Sequence, residues 1–319
     1  MADPGAAGLL GSLPLMANDG GGVSVARRND DPGPAIALRL AFAAAIALMA
    51  AILCYLLLVR TSLGQRFDNA AYLGSQASAP GPRAVDGDQL RRITADSFAV
   101  VLVALVGMGV LRRRVWLGIG SALAAGVAVV GTDVLKHWIL RRPALTATDS
   151  YVPGRTFPSG HTAAAVACAL ALVLVCAPRW RGLAAVVAGA YGWITAAQVQ
   201  TAGWHKPSDA IGGALLAFAS VAAVAALLAW RRPVSMESAR PHRIAFAVLA
   251  AVGLIDGLAM VLGLIRVLRD FKKSVPSPFE TASIRSDAYF TGVTVTVFVV
   301  VLLVMAALAL IGRVDIDHV

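Results

Sequence analysis

Apolar residues are gathered along the chain in eight long stretches that carry almost no charge. The stretches are Leu40–Val59, Ile93–Leu111, Val115–Thr132, Thr162–Pro178, Gly182–Trp204, Ala210–Trp230, Ile244–Ile265 and Thr291–Gly312. Each contains 17 to 23 residues, close to the ~20 residues with which an α-helix crosses about 30 Å of hydrocarbon. The pattern predicts an all-α protein, a polytopic membrane helical bundle of about eight transmembrane helices.

The composition of the 319-residue chain agrees with a membrane location. Hydrophobic residues make up 58% of the chain and charged residues 14%, whereas a soluble domain has about 45–50% and about 25%. These values exclude a soluble globular enzyme, a disordered chain and a disulfide scaffold. Cys54, Cys168 and Cys176 lie inside apolar stretches and are interpreted as packing residues. Residues 1–34, which are rich in Gly, Ala, Pro and Asp, are predicted to form a disordered tail.

Positive charge is concentrated in short turns between the stretches. The net charge is +10, and the arginines of these turns are Arg112–Arg114, Arg179, Arg181, Arg231 and Arg232. In an eight-helix topology these turns share one side of the membrane, which the positive-inside rule makes cytoplasmic. We therefore predict a multi-pass protein of the cell membrane with both termini in the cytoplasm and no nucleic-acid partner.

The opposite face is predicted to carry the chemistry. Three strings lie there at the ends of apolar stretches: KHWILRRP (residues 136–143), FPSGH (157–161) and WHKPSD (204–209). Two further outer loops are expected, an irregular one over residues 60–92 and one over 266–290 that joins the last two stretches.

His205 and Asp209 are four residues apart, so at a helix start they share one face. A carboxylate bonded to one imidazole nitrogen fixes the tautomer and stabilises the cation that forms when the other nitrogen attacks. A histidine nucleophile requires this arrangement. The pair therefore predicts nucleophilic catalysis at the outer face.

Groups suited to an anion accompany this pair. Ser159 and Gly160 precede His161 at a helix start, where backbone amides and the helix dipole favour phosphate. Lys136 and Arg142 supply the positive charge that stabilises a transferring phosphoryl group. The proline after Arg142 favours an extended backbone there.

The three strings resemble the motifs of the type 2 phosphatidic acid phosphatase / vanadium haloperoxidase superfamily, which read Lys-x6-Arg-Pro, Pro-Ser-Gly-His and Ser-Arg-x5-His-x3-Asp. The resemblance implies a six-helix core over residues 35–232, with 233–319 as an additional pair of membrane helices.

The resemblance also implies roles for individual residues. His205 would form a phosphohistidine, Asp209 would orient it, and His161 would protonate the leaving oxygen. The implied phosphate ligands are Lys136, Arg142, Ser159 and the amide of Gly160. Neither a metal nor a cofactor is implied.

Two departures from the family pattern concern the phosphate ligands. Lys136 and Arg142 are six residues apart where the pattern has seven, so the chain is expected to leave the helix between them. Arg141 is an alternative ligand. The Ser-Arg positions of the third motif are occupied by Gln198 and Val199.

Two nearby cations are candidates to replace the missing arginine. Arg155 is preferred because it precedes Ser159 in the same loop and its guanidinium can bind two oxygens. Lys206 is expected to point about 100° away from its neighbour His205, toward the lipid headgroups.

These features predict a metal-independent membrane phosphatase that hydrolyses a lipid phosphomonoester or diphosphate, such as a polyprenyl diphosphate or a phosphatidic-acid-like lipid, at the outer face. The alternatives are a phosphotransferase with an acceptor other than water, and a non-catalytic transporter or scaffold. A haloperoxidase is disfavoured because those enzymes are typically soluble. Asp256, inside the seventh stretch, is interpreted as a structural group. The pattern leaves the oligomeric state open.

Overall fold

The computed structural model describes residues 32–77, 80–237, 242–274 and 280–317. Within these ranges the elements are α1 Gly33–Cys54, α2 Ser62–Gln76, α3 Pro80–Leu90, α4 Ala95–Leu111, α5 Val115–Val134, α6 Gly160–Val175, α7 Arg181–Thr201, α8 Pro207–Arg231, β1 Val234–Met236, α9 Arg243–Lys273, α10 Ala282–Ile311 and β2 Val314–Ile316. The predicted tail lies outside the described residues, apart from 32–34, where α1 already begins.

Each of the eight predicted apolar stretches falls mainly on a helix, and the protein is an all-α multi-pass membrane protein. The predicted count of about eight spans is not confirmed. Six described helices are long and apolar enough to cross a membrane. A seventh span arises only if α3 and α4, bent by 56°, are taken together. The 16 residues of α6 extend only about 24 Å, short of the hydrocarbon thickness.

The prediction of an irregular loop over residues 60–92 is wrong, because α2 and α3 form there. Thr61 begins α2 as a capping residue, its side chain accepting a hydrogen bond from the backbone N–H of Gly64. The buried face of α2 is polar: Gln65, Asp68 and Asn69 are at most 1% exposed. A helix that buries polar groups lacks the apolar periodicity by which helices are recognised in a sequence.

The predicted connection over residues 266–290 is also largely helical. The seventh apolar stretch ends at Ile265, but α9 continues to Lys273. The eighth stretch starts at Thr291, but α10 already begins at Ala282. Both helices therefore extend past the apolar stretches into polar residues, which the hydropathy pattern does not report.

Helix α8 has the largest share of buried residues among the candidate spans, and it packs against α1, α5 and α6. Helix α10 packs against α2 and α7 as well as against α9. The predicted additional helix pair thus contacts the predicted six-helix core. The division of the chain at residue 232 stays a prediction.

The basic turns meet at one end of the bundle, with the strand pair β1–β2. Arg114 forms a 2.8 Å ion pair with Asp315 on β2, and Arg112 approaches the same carboxylate at 3.6 Å. The buried guanidinium of Arg181 donates hydrogen bonds to the carbonyls of Ile311 and Val314. The turns after α4, α6 and α8 therefore lie at the same end of the bundle, opposite the three strings.

Candidate active site

The three strings, KHWILRRP, FPSGH and WHKPSD, converge on one cavity of about 470 Å³. Its wall is formed by the start of α4, the end of α5, the start of α6 and the residue before the α8 capping position. Four of the predicted site residues line it: Lys136, Gly160, His161 and His205. Segments that are far apart in sequence thus contribute to a single concave site.

His205 lies beside a fully buried carboxylate. Its Nδ1 is 3.4 Å from Oδ2 of Asp209, and His205 itself is 8% exposed. The same Oδ2 accepts a 2.9 Å hydrogen bond from the backbone N–H of Lys206, which fixes the carboxylate at the start of α8. A proton on Nδ1 would face Asp209, so Nε2 is the nitrogen left to attack.

Ser159 links the second string to the third. Its backbone N–H donates a 2.8 Å hydrogen bond to the carbonyl of Asp209, and its side-chain oxygen caps α6 by accepting from the backbone N–H of Thr162. The helices approach so closely that a Cβ at Gly213 would lie 2.4 Å from the Ser159 carbonyl oxygen. Glycine at that position lets the two helix starts meet.

Gly160 and His161 form the first turn of α6 at the cavity wall. A Cβ at Gly160 would meet no heavy atom within 4 Å, so the amide end of the helix is open to the cavity. The ring of His161 packs edge-on against Trp204, with ring centroids 5.3 Å apart. This half-buried imidazole therefore lines the same cavity as His205 with a defined orientation.

The first string leaves the helix between its two cations, as the six-residue spacing predicted. Helix α5 continues in a π-helical turn over Leu135–Ile139, closed by a 2.7 Å hydrogen bond from the N–H of Leu140 to the carbonyl of Leu135. Leu140 is then extended. This turn places Lys136 at the cavity wall, and the extended backbone takes Arg142 into the interior.

The side chain of Arg142 is only 3% exposed and is held by buried oxygens. Its Nη2 lies 2.7 Å from Oδ2 of Asp68, 2.9 Å from Oγ of Ser208 and 3.6 Å from Oδ1 of Asp209. Burial by itself would lower the pKa of Arg142, but the two carboxylates outweigh it and raise that pKa. Its Nε and Nη1 are buried and have no hydrogen-bond partner among the described residues.

Residues 115–233 match the family model of the PAP2 superfamily. We refer to this matched part of the chain as the PAP2 region. The resemblance of the three strings to this superfamily is confirmed, and all the residues assigned to the site lie inside the PAP2 region.

Part of the chain is similar to one solved structure, the first transmembrane PAP2-type phosphatidylglycerolphosphate phosphatase from Bacillus subtilis. It shares 18% sequence identity, with 59% of this chain and 94% of that chain covered and a TM-score of 0.46. No curated protein matches the chain.

Asp68, on α2, lies outside the PAP2 region and was not among the predicted site residues. It is fully buried, and its carboxylate contacts both Arg142 and Ser208. The signal in the sequence is the spacing of Gln65, Asp68 and Asn69, which places three polar side chains on one helical face after a capping Thr61.

Lys206 does not face lipid headgroups, and that prediction is wrong. The residue is completely buried, and its Nζ has no hydrogen-bond partner among the described residues. Lys206 is the capping residue of α8 and has extended backbone angles, so the 100° spacing of helical residues does not apply to it. Burial and the nearby Arg142 lower its pKa to about 8, although Asp68 and Asp209 act in the opposite direction.

The other arginines near the PAP2 motifs take different places. Arg155 is exposed in the loop before α6, and the described cavity wall does not include it. Arg141 is also exposed, and its carbonyl accepts a hydrogen bond from the hydroxyl of Tyr55. Val199, at the position of the family arginine, is buried in an apolar cluster with Leu90. The substituted position is therefore filled by hydrophobic packing.

Across the described ranges, no group of three or more His, Cys, Asp or Glu side chains is arranged to hold a metal ion. Cys54 is buried, and the other two cysteines are partly exposed. All three are free thiols.

Proposed function

We propose that the protein is an integral membrane lipid phosphatase that uses His205 as its nucleophile. The observation that carries the proposal is the pairing of His205 with the buried Asp209 at 3.4 Å, on the wall of the cavity that His161 also lines. The match of residues 115–233 to the PAP2 superfamily supports the same reaction class.

The proposed reaction has two displacements at phosphorus. Nε2 of His205 attacks the phosphorus and forms an N–P bond while the P–O bond to the lipid breaks, and His161 gives a proton to the departing oxygen. A water molecule then attacks the phosphohistidine, losing its proton to His161 as the N–P bond breaks. Asp209 stabilises the imidazolium that the first step creates.

Charge on the phosphoryl oxygens is stabilised by groups around the cavity. Lys136 lines the wall directly, and the amide end of α6 begins at Gly160. A helix N-terminus favours an anion, and positioned cations stabilise the charge of a transferring phosphoryl group. Arg142, 3.6 Å from Asp209, has two nitrogen atoms without a hydrogen-bond partner among the described residues, and these are suited to the same charge.

The substrate class follows from the setting of the cavity. Apolar side chains of Ile93, Phe98, Val129 and Ala164 share its wall with the polar groups. A phosphate next to such a wall, in a bundle of membrane helices, suits a lipid whose chain stays in the bilayer. A polyprenyl diphosphate and a phosphatidic-acid-like lipid both have this form.

The basic turns at the opposite end of the bundle favour an active site on the outer face. A cysteine introduced at the exposed Gly154 of a cysteine-free variant should react with a membrane-impermeant reagent in intact cells. A cysteine at Arg179, in a basic turn, should be protected until the cells are permeabilised. The reverse pattern would place the site in the cytoplasm.

The reaction class is tested with the purified protein in detergent micelles. We expect release of inorganic phosphate from a long-chain polyprenyl diphosphate or from phosphatidic acid, and much slower release from a water-soluble phosphomonoester. Transfer of the phosphate to an added alcohol, with no free phosphate formed, would instead identify a phosphotransferase. No turnover of either lipid would contradict the proposal.

Replacing His161 with alanine should affect poor leaving groups more than good ones. A general acid contributes most when the departing oxygen is strongly basic, and such groups typically contribute about 10²–10⁴-fold. Comparing kcat for an alkyl and a nitrophenyl phosphate therefore checks the role of His161. Equal losses for both substrates would remove His161 from the acid role.

Lys206 is expected to matter more for turnover than Arg155, because Lys206 is buried beside the site whereas Arg155 is exposed. We expect Lys206→Met to lower kcat/KM by about tenfold or more, and Arg155→Ala by less than about threefold. The charged groups that act on Lys206 are Arg142, Asp68, Asp209 and Asp149.

The pH dependence of activity distinguishes a role of the Lys206 charge from a role of Lys206 in packing. As the pH rises through about 8, Lys206 loses its proton, so the activity that depends on its charge should fall. The Lys206→Met variant should lack this alkaline decrease. If the activity of the variant still decreased at alkaline pH, the decrease would be assigned to another titrating group.

A further inference from the structure

A polar face of α2 reaches the active site from outside the PAP2 region. Helix α2 covers Ser62–Gln76, whereas the family match begins at residue 115. Its buried Asp68 directly contacts two of the strings that form the site, through Arg142 of the first and Ser208 of the third. A carboxylate this deeply buried is rare in proteins unless it is paired.

The contacts of Asp68 are divided between its two oxygens. Oδ2 lies 2.7 Å from Nη2 of Arg142 and also accepts a hydrogen bond from the hydroxyl of Ser208. Oδ1 accepts a 3.1 Å hydrogen bond from the backbone N–H of Ser208. Asp68 thus holds a cation of the first string and the first turn of α8, one residue before Asp209.

We propose that Asp68 is a positioning residue for the phosphatase reaction: it fixes the guanidinium of Arg142 through Nη2 and leaves Nε and Nη1 as donors for a phosphoryl oxygen. The inference rests on the proposed function. It adds to that function a residue from a helix outside the family match.

The position of Asp68 is itself determined by its neighbours on α2. Nε2 of Gln65 donates to the carbonyls of Val59 and Pro143, at 2.8 and 2.6 Å. Nδ2 of Asn69 donates to Oδ1 of Asp149 at 2.9 Å. These bonds attach α2 to the segment that follows Arg142, so the carboxylate meets the guanidinium in a defined geometry.

The physical reason for the arrangement is that a buried arginine needs a partner to keep one orientation. Without Asp68, Nη2 would keep only the hydroxyl of Ser208 and the longer 3.6 Å approach to Asp209. Breaking a buried ion pair by removing one partner leaves an uncompensated charge. Arg142 would then turn toward Asp209 and compete with His205 for that carboxylate.

The test is a double-mutant cycle on kcat for the lipid phosphate that the wild type hydrolyses. We expect Asp68→Asn to lower kcat by about 10–100-fold, with KM changed by less than about threefold. In an Arg142→Gln background, Asp68→Asn should lower kcat by less than about threefold, because Asp68 acts through Arg142. A purely structural role would give equal losses in both backgrounds.

Glu280→Gln is the matched control, because it also removes a buried acid from an ion pair with α2. Nε of Arg66 lies 2.6 Å from Oε1 of Glu280, with side chains 12% and 6% exposed. This variant should lower the melting temperature and leave kcat within about twofold of wild type. A loss of kcat equal to that of Asp68→Asn would contradict the proposal.

Ser208→Ala provides a second variant if Asp68→Asn does not fold. It keeps both charges and removes the hydroxyl that contacts Asp68 and Arg142, so kcat should fall by about three- to tenfold. Full activity of a folded Asp68→Asn or of Ser208→Ala would overturn the inference while the phosphatase function stands. A wild-type protein that releases no phosphate would overturn the function and this inference with it.

Discussion

Replacing His205 with alanine is expected to lower kcat for phosphate release by at least about 10⁴-fold. The imidazole is the only group on the cavity wall, within the described residues, that pairs with a fully buried carboxylate. Its removal eliminates the nucleophile and the covalent intermediate together. When wild type reacts with a ³²P-labelled lipid and the reaction is quenched rapidly without acid, a labelled phosphoprotein should be recovered that is acid-labile and stable in base. No labelled phosphoprotein should be recovered from the variant.

His137→Ala is the matched control for this experiment. His137 also pairs with a carboxylate four residues away, its Nδ1 lying 3.0 Å from Oδ1 of Asp133, but its side chain is 55% exposed. We expect this variant to keep kcat within about threefold of wild type. A phosphoprotein that persists in His205→Ala would assign the nucleophile to another residue.

Replacing Asp209 with asparagine is expected to lower kcat by about 10³–10⁴-fold. Asparagine can still accept the hydrogen bond from the backbone N–H of Lys206 and keep the start of α8 folded. Its uncharged amide, however, cannot stabilise the imidazolium, and its NH₂ group can bond to Nδ1 and favour the wrong tautomer of His205. Single-turnover kinetics should show slow formation of the phosphoprotein with nearly unchanged substrate affinity.

Asp256→Asn is the control for the loss of a carboxylate inside the bundle. Asp256 lies on α9, far along the chain from the three strings, and is half-buried. Since we interpret it as a structural group, kcat should stay within about twofold of wild type. An Asp209→Asn variant that forms the phosphoprotein at the wild-type rate would show that His205 needs no charged partner.

Much of the site was predictable because it depends on local spacing. The four-residue separation of His205 and Asp209 sets their common face at the start of α8. The six-residue spacing of Lys136 and Arg142, one residue shorter than the family pattern, requires the backbone to leave the helix between them. In both places the structure follows the pattern. These features need only a helix start or a helix end, which nearby residues determine.

Other features were not predictable, because they depend on which helices pack together. The contact between Asp68 and Arg142 joins residues 74 positions apart, and no local pattern selects that pair. The complete burial of Lys206 depends on the packing around the start of α8 and not on its neighbours in sequence. Arg155 looked better placed in sequence, yet its loop leaves it exposed.

The sequence by itself determined an all-α membrane bundle, the order of the three motifs and the pairing of His205 with Asp209. Long apolar stretches in a bilayer must satisfy their backbone hydrogen bonds as helices, and a fixed spacing on a helix fixes a face. Only the tertiary structure showed that residues 62–76 form α2, that Asp68 contacts Arg142, and that Lys206 is buried. These outcomes depend on burying charged groups beside partners from distant segments, and the stability of such pairs is set by packing and desolvation in the assembled bundle.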